Sequence, residues 1–397
     1  MAKKCSGVGF SSTCSKLFAK SFIHSKSSSE YVSSCKSLSN QFHYYQTRPI
    51  TSNVKLHHCV MSQNMSRNRI KSSRTSRCFS RLMSSSDSTG SEVSLLPKAR
   101  RAFMYVPGDS EKMVLKASQL LIDSICLDME DGVADSSKDK ARDNIAHSLD
   151  KIKFKESIDV CVRINPVSST RAVKDLEAVF GSQNAPESIC VPKVEDPAEV
   201  DWLLNKIYGL AMERPPSYTV HIVLICETPR AIINLQSICN EMNELSTMLN
   251  CNLVPDAIVF GSDDYLASVG ATRTEDATEV LYVRQKLLMV AKMFSLQAID
   301  MVYNDLANEQ GLIKSCTEGK LMGFNGKQII NPKQIETVQT CFSPTEREIK
   351  WATGLVAEWE KMSSDGVGAI LYEGKMIDMP LVKQARNILR VKQNMNL

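Results

Sequence analysis

His221–Glu227 reads HIVLICE. Ile222 to Cys226 form five apolar residues in an unbroken row. A strand with one face in water alternates apolar and polar residues. An unbroken row marks a strand covered on both faces, as in a parallel sheet. The row is too short for a buried helix, and it ends in a carboxylate. After Thr228 and Pro229 comes Arg230–Leu245, an amphipathic stretch with helical spacing. Strand followed by helix is the repeating half of a βαβ unit.

The same unit recurs on either side. Upstream are Ala102–Pro107, Asp123–Met129, Asp159–Asn165 and Ser188–Lys193. Downstream are Ala257–Ser262, Ala298–Tyr303 and Lys327–Asn331. Amphipathic segments such as Glu111–Leu121, Lys138–Leu149 and Glu279–Phe294 separate them. Eight such units in about 245 residues predict an α/β fold of the (β/α)8 TIM-barrel type. An open doubly wound sheet would place GxGxxG after its first strand, and VPGDSEK does not fit that pattern.

Past Ser343 the pattern changes. Ser343-Pro344-Thr345-Glu346 opens a helix, on which Trp351, Leu355 and Trp359 share a face for packing. Gly368–Met376 reads as a hairpin, and a last helix follows Pro380. The predicted divisions are a leader over 1–90, a barrel over 97–343 and a C-terminal helical and hairpin extension over 344–397.

The net charge of +4 conceals two regions. Met1 to Ser86 holds fourteen basic residues against one acid, Glu30, so it carries +13 and leaves −9 for the rest. The folded part is acidic, so the basic balance does not predict nucleic-acid binding. The leader, rich in Ser and Arg and poor in acids, fits a transit peptide; a disordered basic arm is the rival reading. No apolar row approaches the roughly 20 residues that cross a bilayer, so no membrane association is expected. Of thirteen cysteines, five lie in the leader, and Cys126, Cys161, Cys190 and Cys226 lie in the strand rows. With no CxxC pair, they read as unpaired thiols in a reducing compartment.

In a barrel of this kind the active site lies at the carboxyl ends of the strands. Those ends carry Tyr105; Asp128 with Glu130 and Asp131; Arg163 and Asn165; Lys193; Glu227; Asp263 and Asp264; Asp300 and Tyr303; and Asn331. Only His147 and His221 follow the leader, the first on a helix and the second at the far end of its strand. A His-ligated zinc or a His-based triad therefore has no supplier. Any metal is held by oxygen, which selects Mg²⁺ or Mn²⁺, and Glu227 and Asp264 end adjacent strands. Arg163 either grips a substrate carboxylate or pairs with Glu130 or Asp131. Lys193 either balances charge or forms a Schiff base. Lys112 and Lys116, one helical turn apart, either bind CoA phosphates or line a solvated face. Gly323, Gly326 and Lys327 lie where barrels often place phosphate.

YVPGDSEK, LDMEDGV, CVRINPVSS, VPKVE, ICET, FGSDDYLASVGA, QAIDMVY and GKQIINP occur in that order from Arg100 onward. They resemble the citrate-lyase β-subunit-like proteins. The resemblance implies Mg²⁺ on Glu227 and Asp264, and acyl-CoA binding at Tyr105, Lys112, Lys116, Arg163, Ile330 and Asn331. Asn331 stands where that motif usually has histidine, and Asp263 where it usually has glutamate. MIDMP resembles the segment that places a catalytic aspartate, here Asp378, in a neighbouring subunit of a homotrimer. It is similar to the segment of lyases that act on free CoA thioesters.

The expectation is a mitochondrial-matrix lyase that breaks a carbon–carbon bond in a citramalyl-CoA-type thioester, giving pyruvate and acetyl-CoA. Malyl-CoA or malate synthesis would be the reverse side activity. Asp378 and Arg163 would be catalytic, with Glu130 and Asp131 behind them. The alternatives are an aldolase on free oxo-acids and a non-catalytic acyl-CoA-binding protein.

Overall fold

The computed structural model describes residues 98–249, 252–363 and 368–395. The leader, and with it the transit-peptide reading, lies outside the described residues. The barrel strands are β1 (Ala102–Pro107), β2 (Ser124–Asp128), β3 (Asp159–Arg163), β4 (Ser188–Val191), β5 (Val220–Cys226), β6 (Leu253–Phe260), β7 (Gln297–Asp300) and β8 (Gly326–Ile329). Between and after them run α1 (Glu111–Ala117), α2 (Lys138–Lys151), α3 (Arg171–Gly181), α4 (Pro197–Ala211), α5 (Pro229–Met248), α6 (Ser262–Val269), α7 (Leu281–Met293), α8 (Glu309–Met322) and α9 (Ile335–Phe342). All eight strands pair in parallel in chain order. Ala102 meets Lys327 to close the barrel. The fold is the (β/α)8 barrel expected from the apolar rows.

Two apolar layers hold it. Outward-facing strand residues such as Ile125, Val162 and Ile222 pack under Ile145, Leu176 and Leu203 of the helices. Inward-facing residues, two apart along each strand, fill the lumen: Phe103, Cys126, Cys161, Cys190, Val223, Ala257 and Ile299. The amino end is plugged by polar groups. Arg100 donates to Asp159 at 2.7 Å and Asp256 at 2.6 Å, and His221 meets Asp256 at 2.8 Å. His221 thus sits at the end away from the site, as its place in the sequence predicts.

The structure corrects the expected strand boundaries. β6 begins at Leu253, four residues before the predicted Ala257, because Pro255 and Asp256 interrupt its apolar row. Ile222 pairs with Pro255 and Val223 with Ala257, so Asp256 is an extra residue in a bulge. The bulge aims its carboxylate at Arg100. β8 stops at Ile329 rather than Asn331. Asn331 instead caps a short 3₁₀ turn, Pro332–Gln334, accepting from the Lys333 N–H at 3.0 Å.

The extension comprises α10 (Glu346–Ser363), the hairpin β9 (Ala369–Tyr372) and β10 (Lys375–Asp378), and α11 (Met379–Met395). Thr345 and Glu348 cap α10 reciprocally: the Thr345 N–H donates to Glu348 at 2.7 Å, and the Glu348 N–H to Thr345 at 3.2 Å. Leu355, Trp359, Ile370, Ile377, Val382 and Ala385 form a separate small core. The aromatic spacing on α10 is therefore packing.

Candidate active site

Local chemistry fixes each side chain at the carboxyl ends. Glu227 directly follows β5. The next residue, Thr228, caps α5 by accepting from the Ala231 N–H at 3.1 Å, with Pro229 in the first turn. Glu227 is thus clamped between a strand end and a capped helix. Asp264 lies in the first turn of α6 rather than at the tip of β6. Gly261 separates β6 from α6, and a Cβ there would stand 2.6 Å from Glu227 Oε2. Only glycine lets the two acidic elements approach this closely.

The loop after β2 is built around Asp128. Its carboxylate accepts from the Glu130 N–H at 2.8 Å and the Gly132 N–H at 2.9 Å. Arg163 closes on the same group, with Nε and Nη2 both 2.6 Å from it. Its remaining nitrogen lies 3.1 Å from Glu130. The guanidinium also stacks 4.5 Å from the Tyr105 ring centre, and the Tyr105 hydroxyl donates to Gln328 at 3.1 Å. The ion-pair reading of Arg163 therefore holds, with Asp128 as its main partner rather than Asp131.

Lys193 bridges the cluster. Its N–H donates to Glu227 Oε1 at 2.9 Å, and its Nζ to Glu130 at 2.6 Å and Asp131 at 2.9 Å. Asp264 stands 4.0 Å from the same nitrogen. The Lys193 φ of 54° is left-handed, a strain of about 1–2 kcal/mol that the surrounding bonds hold in place. Burial by itself would lower the ammonium, but the hydrogen bonds and charges of Glu130 and Asp131 keep it above the usual lysine range. A Schiff-base nucleophile must be neutral, so this setting disfavours the lysine mechanism.

The carboxylates outnumber that cation. Burial, then the charges of Asp264 and Glu130, push the Glu227 carboxyl up to about 9. Glu130 is raised by burial despite Arg163 and Lys193. Such an acidic set, with Glu227 and Glu130 buried and Asp264 and Asp131 at the solvent edge, offers oxygen donors alone and fits a hard divalent cation, which balances the charge and matches the donor type. Glu227 and Asp264 would hold Mg²⁺ from adjacent units.

Other predicted residues fall elsewhere. Asp300 faces outward and is sealed between Arg284 at 2.8 Å and Lys327 at 3.1 Å. Lys327 is fully buried, so it takes no part in phosphate binding. Asn165 is held by Asp175 at 2.6 Å, and Asp263 pairs with Arg273. Lys112 and Lys116 are exposed, Ile330 is 46% exposed and Asn331 is half-buried, so they border the rim where a ligand could reach them. Asp378 is exposed at the end of β10, in the module with its own core. Gln328 was missed by sequence reading. It faces inward from β8 under Tyr105, and nothing in its sequence surroundings marks it.

Residues 101–332 match the family model described as HpcH/HpaI aldolase/citrate lyase. The chain belongs to that family. It is an enzyme of the lyase class. The human protein named "Citramalyl-CoA lyase, mitochondrial" is 42% identical over 292 residues, covering 72% of this chain and 84% of that protein. The citrate lyase subunit beta of Escherichia coli K12 is 31% identical over 294 residues, 74% of this chain and 93% of that subunit. Among solved structures, protein CitE from Mycobacterium tuberculosis, in complex with magnesium, acetoacetate and coenzyme A, is 25% identical. It has a TM-score of 0.56 and covers 74% of this chain and 98% of that one. A citrate lyase from Burkholderia xenovorans LB400 shares the fold, with a TM-score of 0.64 at 18% identity, 76% of this chain and 94% of that one. A family lyase that works with a divalent metal and a CoA-related substrate is the reading common to site and relatives.

Proposed function

We propose that this family member is a mitochondrial, Mg²⁺-dependent lyase that cleaves citramalyl-CoA to pyruvate and acetyl-CoA, with malyl-CoA or malate synthesis as its reverse side activity. The observation that carries the reading is the gathering of Glu227, Glu130 and Asp264 around Lys193. Burial, then the charges of Asp264 and Glu130, raise the Glu227 carboxyl to about 9 there. The similarity to relatives named citramalyl-CoA lyase supports the substrate and the compartment.

When bound on Glu227 and Asp264, Mg²⁺ supplies Lewis acidity for a substrate that offers a hydroxyl and a carboxylate on one carbon. Arg163, fixed by Asp128 and Glu130, presents positive charge to that carboxylate, and Tyr105 supports its guanidinium from one face. Glu130 and Asp131, both accepting from the Lys193 ammonium, receive the hydroxyl proton. Loss of that proton breaks the carbon–carbon bond, leaving pyruvate and the enolate of acetyl-CoA. Lys112 and Lys116 on α1, with Ile330 and Asn331 after β8, border the mouth where the CoA moiety would lie.

The enolate still needs a proton, which Asp378 gives from a neighbouring copy in a trimer. Asp378 shares the outer face of the hairpin with Met376 and Leu371, which are 71% and 72% exposed. An apolar face around a carboxylate suits burial against another subunit. On this reading residues 344–397 complete the neighbour's site, 97–343 form the catalytic barrel, and the first 90 residues target the chain to the matrix.

The test is a cleavage assay of the purified chain with citramalyl-, malyl- and citryl-CoA, with and without Mg²⁺. Magnesium-dependent release of pyruvate from citramalyl-CoA is expected. Turnover that persists in chelator, or that needs no CoA, would refute the reading.

A further inference from the structure

One chemical group in the barrel takes no part in the proposed reaction. Cys126, Cys161 and Cys190 come from three successive strands and are fully buried in the lumen. Cys126 and Cys161 are directly paired across β2 and β3, and Cys190 pairs two residues further along β3, at Arg163. Their sulfurs all lie within 4.8 Å of one another. Each thiol is in hydrogen-bonding contact with the other two. Packing alone asks only that cysteines fill space as small hydrophobes. It does not ask three thiols to converge on one point.

We propose that Cys126, Cys161 and Cys190 form a second metal site, distinct from the carboxylate cluster, that takes a soft monovalent d¹⁰ cation, Cu(I), in three-coordinate thiolate ligation. Soft sulfur ligands select such ions, whereas Mg²⁺ requires oxygen. The surrounding lumen side chains Phe103, Val223, Ile225 and Ile299 carry no donor atom, and the hydroxyl of Tyr105, which packs against the same cluster, is engaged with Gln328 at 3.1 Å. Zn²⁺ prefers four ligands and is poorly served by three. Three-coordinate Cu(I) needs no more than the sulfurs present.

Charge supports the assignment. Burial would raise the Cys190 thiol, but hydrogen bonds from Cys126 and Cys161, together with Arg163, bring it down to about 5. Cys126 and Cys161 remain well above the usual thiol range, first because of burial. Cu(I) binding to all three as thiolates releases the protons that the thiols carry and changes no oxidation state. The bound group is anionic, and Arg163 lies close enough to Cys190 to offset part of that charge. The site sits one layer below Arg163 and Tyr105, so its occupant would tie β2, β3 and β4 together under the active site. The sulfurs have no opening to solvent, so the ion enters while the barrel forms or breathes.

The inference rests on none of the citramalyl-CoA reading. The reduced full chain is mixed anaerobically with a Cu(I)–chelator complex, both natively and during refolding from urea. X-ray absorption should report copper with three sulfur neighbours, and crystals should show an anomalous peak between the three Sγ atoms. Cys161→Ala should abolish that peak while Mg²⁺-dependent turnover stays near the unloaded level. An anomalous peak elsewhere, a copper signature unchanged in Cys161→Ala, or capture of Zn²⁺ but not Cu(I) would each overturn the proposal. The wild-type crystal decides the matter even where the variant fails to fold. The five leader cysteines are distinguished from the site by the position of the peak.

Discussion

The main-chain N–H of Lys193 donates to Oε1 of Glu227 at 2.9 Å from a backbone held at φ 54°. The same residue's ammonium, turned the other way, binds Glu130 and Asp131. One lysine thus orients one candidate metal carboxylate with its backbone and two supporting carboxylates with its side chain. The strained conformation exists because both contacts must be made at once.

That arrangement keeps Lys193 protonated, and a protonated amine does not condense with a carbonyl. Borohydride in the presence of pyruvate or oxaloacetate should trap no adduct on Lys193, and chelator should abolish turnover. Mass spectrometry of the treated protein reads the outcome, and a reduced adduct at Lys193 would revive the lysine mechanism.

Glu227 sets a pH dependence. Without metal, burial, then Asp264 and Glu130, raise its carboxyl to about 9, so the folded chain keeps a proton that the unfolded chain loses near the usual carboxylate range. The folded state binds more protons, so stability falls as pH rises. This contribution is complete below about pH 4.5 and is lost on passing through about pH 9. The melting temperature in chelator should therefore fall across that window. Mg²⁺ displaces the proton, so its affinity should tighten by up to about tenfold per pH unit below 9. Glu227→Gln should flatten the stability slope and remove magnesium-supported turnover. A wild-type slope equal to that of the variant would contradict the assignment.

Gly261→Ala tests the close approach of the two acidic elements. Its new Cβ would stand 2.5 Å from Glu227 Cβ, so the glutamate must move. The barrel should remain folded by circular dichroism, while the Mg²⁺ concentration for half-maximal activity rises about tenfold or more, as expected when one ligand is misplaced. An unchanged magnesium requirement would show that Glu227 does not bind the metal.

Arg163→Lys removes the forked contact with Asp128. One ammonium cannot reproduce two parallel bonds 2.6 Å long. Asp128 would be left partly unpaired in a buried setting, at a cost of about 3 kcal/mol. Turnover should fall by about a hundredfold or more. Chemical denaturation and steady-state kinetics check the two effects separately.

Asp378→Asn should leave thioester binding within about twofold and lower turnover by about 10²–10⁴. Mixing this variant with Glu227→Gln should restore part of the activity, because a mixed trimer would contain a barrel with intact Glu227 facing an intact Asp378. No recovery after subunit exchange would argue that Asp378 acts within its own chain or not at all.

Much of this was legible before folding. The apolar rows located all eight strands, and their polar ends named Glu227, Asp264, Glu130, Asp131, Arg163 and Lys193, which the structure brings together. Gly261 was the cue that was missed, since its role is visible only once Glu227 stands beside it. Asp300 and Lys327 were placed at the mouth because they too end or border a row. They turn outward and neutralise each other under α7 and α8. The expected β6 started late because Pro255 and Asp256 look like a break, whereas the barrel absorbs Asp256 in a bulge.

The sequence by itself determined which segments are buried strands, their order, and where acidic groups gather. The tertiary structure alone decided which of those groups face the lumen: Gln328 inward beside outward Lys327, and three cysteines aimed at one point. The reason is the two-residue period of a strand. A row apolar on both faces announces burial, but without alternation it carries no sign of which face is inward. Closure of the barrel supplies that sign, and with it the site.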